Sequence, residues 1–451
     1  AAGSLRLQAH VIQMAGRALR SFARACRFPL ACPRPFTDKA LPVMQRILIP
    51  ARTLFRNREL TVLLAANIVL GLISSFVAPF LSMFGTLEVK MSPLVFGGFM
   101  TVTAVSSIVI GTVLSHRSDT HHSRRHMLLL GAIAGAAGYA GYAYVRNIAG
   151  LILIGSIALG ISSITFSQLF AYARESLNRN AVPPREAPLY MNIFRMFFAL
   201  AWTIGPGVAA WVLHAYSYHG LFLSAAFLCV VFLILVGIFI PEIPPEKNAA
   251  TRPHVRLREL LRQPTVMPWF IAFTLVFMAT TMSMMDLPLL IIEVLHGTQT
   301  QVGVVYSLGP IFELPFMFYF GLLATRMDPA RLIRVAVILA LIYYGLLALV
   351  RAPWQIYPLQ ILSAAFVAVA MGVAISFFQD KIPQQPGAAT NVYVNAQRIG
   401  ATAGYLIFGF VGGNFGYRAV YVACAMLCVA ALILIFMQTV RPNATTVAAK
   451  V

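Results

Sequence analysis

Four charged residues lie inside long apolar stretches of this 451-residue chain, and their types suit chemistry at membrane depth. They are Arg195, Asp286, Glu313 and Arg398. Even scales that assign low costs give about 2.5–3.5 kcal/mol for an Arg or Asp in the middle of a membrane helix. Such residues usually face a cavity or a partner, so these four are the first candidates for a functional site.

The two acidic residues of this set each lie close to a proline. Glu313 is near the middle of its stretch and precedes Pro315, and a carboxyl group in a low-dielectric site can hold and exchange a proton. Asp286 precedes Pro288, which interrupts regular helical hydrogen bonding and can expose backbone carbonyls to a cavity. The alternative for Asp286 is a carboxylate at the membrane surface, in contact with water.

The composition requires a lipid environment. Hydrophobic residues make up 59% of the chain and charged residues only 11%, with a mean hydropathy of +0.79. Soluble domains carry roughly 25% charged residues. The net charge of +20 would suggest nucleic acid in a soluble protein, but the basic residues lie in short connections between apolar stretches. We therefore expect no nucleic-acid partner.

The apolar stretches predict twelve membrane-spanning helices, because each is about 20 residues long. The predicted spans are 60–85, 93–115, 127–145, 148–172, 188–213, 217–240, 266–292, 301–325, 331–350, 353–378, 387–412 and 416–439. The expected organisation is a basic, disordered or surface-lying tail (1–58), a six-helix bundle (59–240), a central loop (241–265), a second six-helix bundle (266–440) and a C-terminal tail (441–451).

The arginines and lysines of the connections predict the orientation. The connections after even-numbered spans hold fifteen of them, whereas those after odd-numbered spans hold four, namely Lys90, Arg146, Arg351 and Arg418. Positive connections stay on the cytoplasmic side. Both termini are therefore expected in the cytoplasm of a multi-pass protein of the plasma membrane, which in bacteria is the inner membrane.

The two predicted bundles carry similar connections. Arg117-Ser-Asp119 and then Arg124-Arg125 follow span 2, and Arg326-Met-Asp328 and then Arg331 follow span 8. This repetition indicates a parallel repeat of six helices. We interpret Asp119, Arg124, Arg125, Asp328 and Arg331 as gating-loop residues.

These features resemble the major facilitator superfamily, whose loop pattern G-x-x-x-D-R-x-G-R-R is loosely matched by Gly111, Asp119, Arg124 and Arg125. Several stretches, in a common order, are similar to bacterial sugar efflux transporters. They are Ser167–Glu175, Ala201–Pro206, Met285–Leu289, Phe312–Pro315, Phe378–Pro383 and Gly387–Thr390. The resemblance implies an all-α fold of two six-helix bundles and proton-driven export of small sugars or glycosides by alternating access.

The resemblance also implies roles for the charged residues. Spans 5 and 8 meet between the bundles in this fold, so we hypothesise that Arg195 and Glu313 form an ion pair that is made and broken during transport. A permanent structural pair is the alternative. Asp286 would bind sugar hydroxyls or carry the proton. Arg398 departs from the family pattern, and it would adjust substrate choice or pair with Asp380.

Sugar binding needs amides and aromatic faces, because hydroxyls require many hydrogen-bond partners and the C–H faces stack on rings. The candidates are Gln168, Asn67, Asn395 and Trp202. Each has a structural alternative, since polar side chains also join membrane helices. Gln168 is the first choice because of its place in the Ser167–Glu175 stretch.

Other functions find less support in the sequence. No HExxH, GxSxG or GxxxxGK[ST] motif occurs, so we expect no enzyme, ATPase, metal or cofactor. A proton-coupled multidrug exporter remains open because four methionines lie in Met278–Met285. A sensor without transport activity is a further alternative. The expected partners are a small sugar, protons and lipid, and the chain is expected to act as a monomer.

Overall fold

The computed structural model describes residues 57–120, 123–180, 187–242, 262–324, 326–382 and 386–440. These residues form twelve long helices, and none of them forms a strand. The helices are α1 (Arg58–Glu88), α2 (Pro93–Thr120), α3 (Arg124–Tyr144), α4 (Ile148–Arg179), α5 and α6 (both within Ala187–Phe239), α7 (Met267–Val294), α8 (Gln299–Ala324), α9 (Pro329–Leu349), α10 (Pro353–Lys381), α11 (Pro386–Phe415) and α12 (Tyr417–Val440). Both predicted tails and most of the predicted central loop lie outside the described residues.

The helix lengths are consistent with the twelve predicted spans. Ten of the described stretches are long and apolar enough to cross a membrane, by length and composition. One of these, Ile193–Phe239, contains parts of both α5 and α6, which are separated by non-helical backbone at Ser217 (φ 57°). Helix α11 is not among the ten, and it is the helix that carries Asn391, Asn395 and Arg398.

Side chains of three connections begin helices by accepting hydrogen bonds from free backbone N–H groups. Asn57 caps α1 and Asn147 caps α4, with its Oδ1 2.6 Å from the Gly150 nitrogen. Asp328 caps α9 through the Ala330 N–H, and Pro329 occupies the first helical position. Asp328, predicted as a gating residue, thus has a local structural role at the start of α9.

Unusual backbone conformations repeat between the two halves of the chain, α1–α6 and α7–α12. Among the described residues, four have a positive φ, and they form two pairs. Lys90 follows α1 and His296 follows α7, 206 residues later. Ser217 follows α5 and Gly416 follows α11, 199 residues later. The halves therefore turn in the same way at equivalent connections, as the predicted repeat requires.

Close helix packing within each half follows the same repeat. In the first half, α5 packs on α1, where a methyl group added at Gly71 would lie 2.7 Å from Ala201 Cβ. In the second half, α11 packs on α7, where a methyl group at Gly400 would lie 2.5 Å from the Thr274 carbonyl oxygen. Ala201 and Gly400 are again 199 residues apart. Small residues let helix backbones touch, which stabilises helix pairs in lipid.

Two equivalent contacts join the halves. A methyl group at Gly97 of α2 would lie 2.5 Å from the Tyr405 carbonyl oxygen of α11, and one at Gly303 of α8 would lie 2.7 Å from the Pro206 carbonyl oxygen of α5. The spacings of 206 residues for the glycines and 199 for the carbonyls match the repeat. The two contacts are therefore related by the same pseudo-symmetry as the bundles.

Both contacts lie toward one end of the helices. We call the end that carries Arg124, Arg179, Arg334 and Lys381 the basic end, and the other the opposite end. Gly97 is in the first turns of α2, and Gly303 is in the first turns of α8, both at the opposite end. The segment Ala78–Met83 of α1 also lies against α7 there. The halves are thus closed against each other at the opposite end.

A charged network holds α3 and α4 together at the basic end. Arg124 Nε donates to Glu175 Oε1 at 2.5 Å, and Arg124 Nη1 donates to Gln168 Oε1 at 3.2 Å. Arg125 Nη2 donates to the Gly237 carbonyl of α6 at 2.6 Å. Arg124 and Arg125, predicted as gating residues, therefore bind within the first half. The Asp119 side chain lies outside the described residues, and Arg331 is exposed.

Replacing Gly97 with Leu should open the contact at the opposite end, because the new side chain has no room beside Tyr405 and Gly409. The readout is maleimide labelling of Ser307→Cys, whose native hydroxyl is buried, after replacement of the five native cysteines. Labelling should rise in Gly97→Leu. Gly98→Leu is the matched control, since nothing lies within 4 Å of a methyl group there. Equal labelling in both variants would contradict the proposed closure.

Replacing Gln168 with Leu should lower the free energy of unfolding by about 1–3 kcal/mol, because Arg124 then loses a buried acceptor. The neighbouring Ser167→Leu is the control, since Ser167 is exposed and bonds only to the Ile164 carbonyl of its own helix. Unfolding of both proteins in the same detergent gives the comparison. Equal stability of the two variants would show that the Arg124 network does not depend on Gln168.

Candidate functional site

Arg195 of α5 is exposed on the side of the helix that faces away from lipid. The exposed apolar residue Ile204 is nine residues further on, about two and a half turns, and so lies on the opposite side. Phe194 contacts α1 and Pro206 contacts α8, so Arg195 points between these two helices. Its charge also acts on the Tyr393 hydroxyl of α11, in the other half. Arg195 therefore lies in a cleft between the halves.

Glu313 has the corresponding place on α8. It is half-buried, and the exposed Leu322 lies nine residues further on, on the opposite side of the helix. Among the described residues, neither Glu313 nor Arg195 takes part in an ion pair or a side-chain hydrogen bond. The predicted pair is thus not formed in this state, which leaves two separate charges on the helices that join the halves.

Helices α4 and α10 present similar exposed faces at the basic end. On α4, the face consists of Ser163, Phe166, Ser167 and Phe170, and we call it the α4 stripe. On α10, the face consists of Gly372, Ile375, Ser376 and Gln379, and we call it the α10 stripe. Each helix packs on its remaining sides against helices of its own half, so the stripes line the cleft. The sequence analysis missed them, although small polar residues at helical spacing were a usable signal.

Trp202 and Asn395 keep positions compatible with binding. Trp202 is two turns from Arg195 on the same side of α5, and its indole Nε1 is buried without a hydrogen-bond partner. Asn395 of α11 is half-buried, and its Nδ2 donates to the Asn391 carbonyl at 2.8 Å. Arg398, one turn further along α11, is exposed. These three residues remain candidates for substrate contacts.

Two predicted substrate ligands do not reach the cleft. Asn67 is fully buried, and its Nδ2 donates to the Phe194 carbonyl at 2.6 Å, which joins α1 to α5. Gln168 is 2% exposed and accepts from Arg124. The prediction that these amides bind substrate is wrong for this state, because helix packing turns both of them away from the cleft.

Asp286 lies inside the second half and does not line the cleft. It is fully buried, and neither carboxylate oxygen has a hydrogen bond of normal geometry. The Tyr421 hydroxyl of α12 is beside it, and Tyr306 of α8 donates to the Met284 carbonyl nearby at 2.6 Å. The alternative of a surface carboxylate in water is excluded by this burial. The position indicates a carboxyl group that is held neutral, since an unpaired charge at this depth is costly.

A recess of about 570 Å³, partly open to solvent, lies among α1–α4 and α11. It is next to the contact of α2 with α11, because Tyr405 belongs to both. The polar groups in its wall are hydroxyls of Thr103, Ser107, Tyr139, Tyr142 and Tyr405. A volume in this range suits a small ligand. The sequence analysis missed these tyrosines because they lie on three helices that only the fold brings together.

Comparison with known proteins places this arrangement. Residues 63–404 match the family model of the Major Facilitator Superfamily. Sugar efflux transporter A of Dickeya chrysanthemi is 32% identical over 387 residues, which cover 85% of this chain and 97% of that protein. Sugar efflux transporter B of Salmonella typhimurium is 30% identical, covering 82% and 93% of the two chains. The crystal structure of the nucleoside transporter NupG superposes with a TM-score of 0.74 at 14% identity, covering 86% and 100%.

The match covers most of the chain, and the fold, the repeat and the family model agree with one another. The sequence is all-helical where it is described, and its two halves meet around a cleft. The chain therefore belongs to the Major Facilitator Superfamily, in the family of the sugar efflux transporters.

Proposed function

We propose that this chain exports small sugars or glycosides in exchange for protons, by alternating access of one cleft to the two sides of the membrane. The observation that carries the proposal is the placement of Arg195 and Glu313 in a cleft whose halves are closed only at the opposite end. Relatives named sugar efflux transporters, with 30–32% identity over most of this chain, support the substrate class.

The positive-inside rule supports a cytoplasmic basic end, because Arg124, Arg179, Arg334 and Lys381 lie there. The described state then has its cleft open to the cytoplasm and closed to the outside, in a bacterial inner membrane. An exporter loads its substrate in this state. The cleft forms between two halves of one chain, which supports a monomer as the functional unit.

The lining of the cleft suits a sugar. Trp202 offers a ring for stacking, and its unpaired indole N–H offers a donor. Ser167 and Ser376 add hydroxyls from the two halves. The recess beside Tyr405 adds phenol groups from both halves. Substrate bound between such groups would draw the halves together at the basic end.

Glu313 is the carboxyl group that supports proton coupling. It is reachable from the cleft, whereas Asp286 is fully buried behind Tyr421. When the basic ends of α5 and α8 approach, Arg195 can pair with ionised Glu313 and expel its proton. When the ends separate, the pair breaks and Glu313 takes up a proton again. Loss of the Arg195 partner at low dielectric favours the neutral acid.

The multidrug alternative loses its main support. The four methionines that suggested a flexible drug cavity lie in the packing of α7. Met282 and Met285 are buried in the second half, and the backbone of Met278 contacts Gly400 and Gly404 of α11. Methionines in helix packing adapt to irregular gaps without binding a ligand.

Glu313→Gln should abolish sugar-driven proton movement, because the amide cannot exchange a proton. Everted membrane vesicles with a pH-sensitive dye and an imposed proton gradient give the readout when lactose is added. Counterflow of radiolabelled lactose should persist in this variant. Asp286→Asn is the matched control, and it should keep both activities because it replaces a neutral buried acid with a neutral amide.

Two results would contradict this assignment. Loss of coupling in Asp286→Asn with full coupling in Glu313→Gln would move the proton site into the second half. An Arg195→Ala protein that transports lactose with wild-type pH dependence would end the alternating ion pair.

A further inference from the structure

The charges that face the cleft do not balance. Between their ends, the helices α1, α2, α4, α7 and α10 carry a single charged residue, Asp286, which is fully buried away from the cleft. The cleft therefore contains Arg195, Arg398 and Glu313 at membrane depth. If Glu313 pairs with Arg195 in the closed state, one guanidinium is left over.

Arg398 is the unmatched charge. It lies twelve residues from Pro386, the start of α11, which corresponds to about 18 Å along the helix. The hydrocarbon core is about 30 Å thick, so this position is close to its middle. Asp380 is at the end of α10, at the mouth of the cleft, and the described residues contain no ion pair between it and Arg398. The predicted Asp380 pair is thus not formed.

The side of α11 that carries Arg398 faces the other half. Arg398 shares a stripe with Thr402, Tyr405 and Gly409, at helical spacing. Tyr405 and Gly409 touch Gly97 of α2, where the halves are closed. Nearer the basic end the same stripe is exposed at Arg398, because the halves separate there. The lipid side of α11 is marked instead by Leu406 and Phe410, which are 50% and 54% exposed.

An unpaired guanidinium at this depth is costly unless a ligand supplies the missing negative charge. The planar guanidinium binds carboxylates and phosphates through two parallel hydrogen bonds. Asn391 and Asn395, on the same helix within two turns, add amide groups of the kind that bind sugar hydroxyls. The combination of one free guanidinium with nearby amides matches a sugar that carries an anionic group.

We propose that the preferred substrate is an acidic saccharide, whose carboxylate or phosphate binds Arg398 while its hydroxyls bind the amides and rings of the cleft. This inference rests on the proposed export of sugars and narrows its substrate class. Arg195 stays with Glu313 in the coupling step, and Arg398 serves the substrate. A neutral sugar would leave Arg398 unpaired when the basic end closes.

Matched ligand pairs test the proposal on the full chain in lipid nanodiscs, by equilibrium binding. Lactobionate is compared with lactose, and glucuronate and glucose 6-phosphate are compared with glucose. The acids should bind about tenfold or more tightly than their neutral partners, as expected for a charge-assisted pair. The two glucose derivatives distinguish a preference for carboxylate from one for phosphate.

Arg398→Gln should bring the affinity for the acids down to that for the neutral sugars, and Arg398→Lys should restore part of the difference. Arg351→Gln is the control, since Arg351 is exposed in a connection at the opposite end. An acid preference that survives in Arg398→Gln, or equal binding of lactose and lactobionate by the wild type, would overturn the inference but leave sugar export standing. Failure to bind or exchange any of these saccharides would overturn both.

Discussion

The architecture depends on backbone contact between helices. In lipid there is no hydrophobic driving force between helices, so their association relies on small residues that allow close packing and on interhelical hydrogen bonds. Gly71 against Ala201 and Gly400 against Thr274 provide this contact within the halves. Gly97 and Gly303 provide it between them. Because these contacts have little side-chain interdigitation, one half can separate from the other without dismantling its own packing.

Polar groups divide into those that hold a half together and those that face the cleft. Asn67 and the network of Arg124, Glu175 and Gln168 are satisfied within the first half. Arg195, Glu313 and Arg398 have no such partners among the described residues. The rigid half thus carries charges whose partners must come from the other half or from a ligand. This arrangement links the movement of the halves to binding, since closure can satisfy charges that the open state leaves unpaired.

The sequence predicted the features that depend on composition and spacing. The apolar stretches located the helices, including the separation of α5 from α6 near Ser217, and the charged residues within spans pointed to the cleft. The predicted roles of Asn67 and Gln168 were wrong because an amide on a membrane helix has the same sequence signal whether it faces a neighbouring helix or a cavity. Only the rotation of the helix about its axis distinguishes the two, and that rotation is set by tertiary packing. The separation of Arg195 from Glu313 could not be predicted either, because it depends on the conformational state.

The central claim is that the two halves move as units, closing the basic end when the opposite end opens. Spin labels at Ser167 and Ser376 report the distance across the cleft at the basic end, and labels at Leu94 and Gly413 report it at the opposite end. Pulsed electron resonance in nanodiscs, over a pH range with and without lactobionate, gives both distances. The account predicts two populations in which one distance is short whenever the other is long. Distances that stay fixed, or that lengthen together, would contradict it.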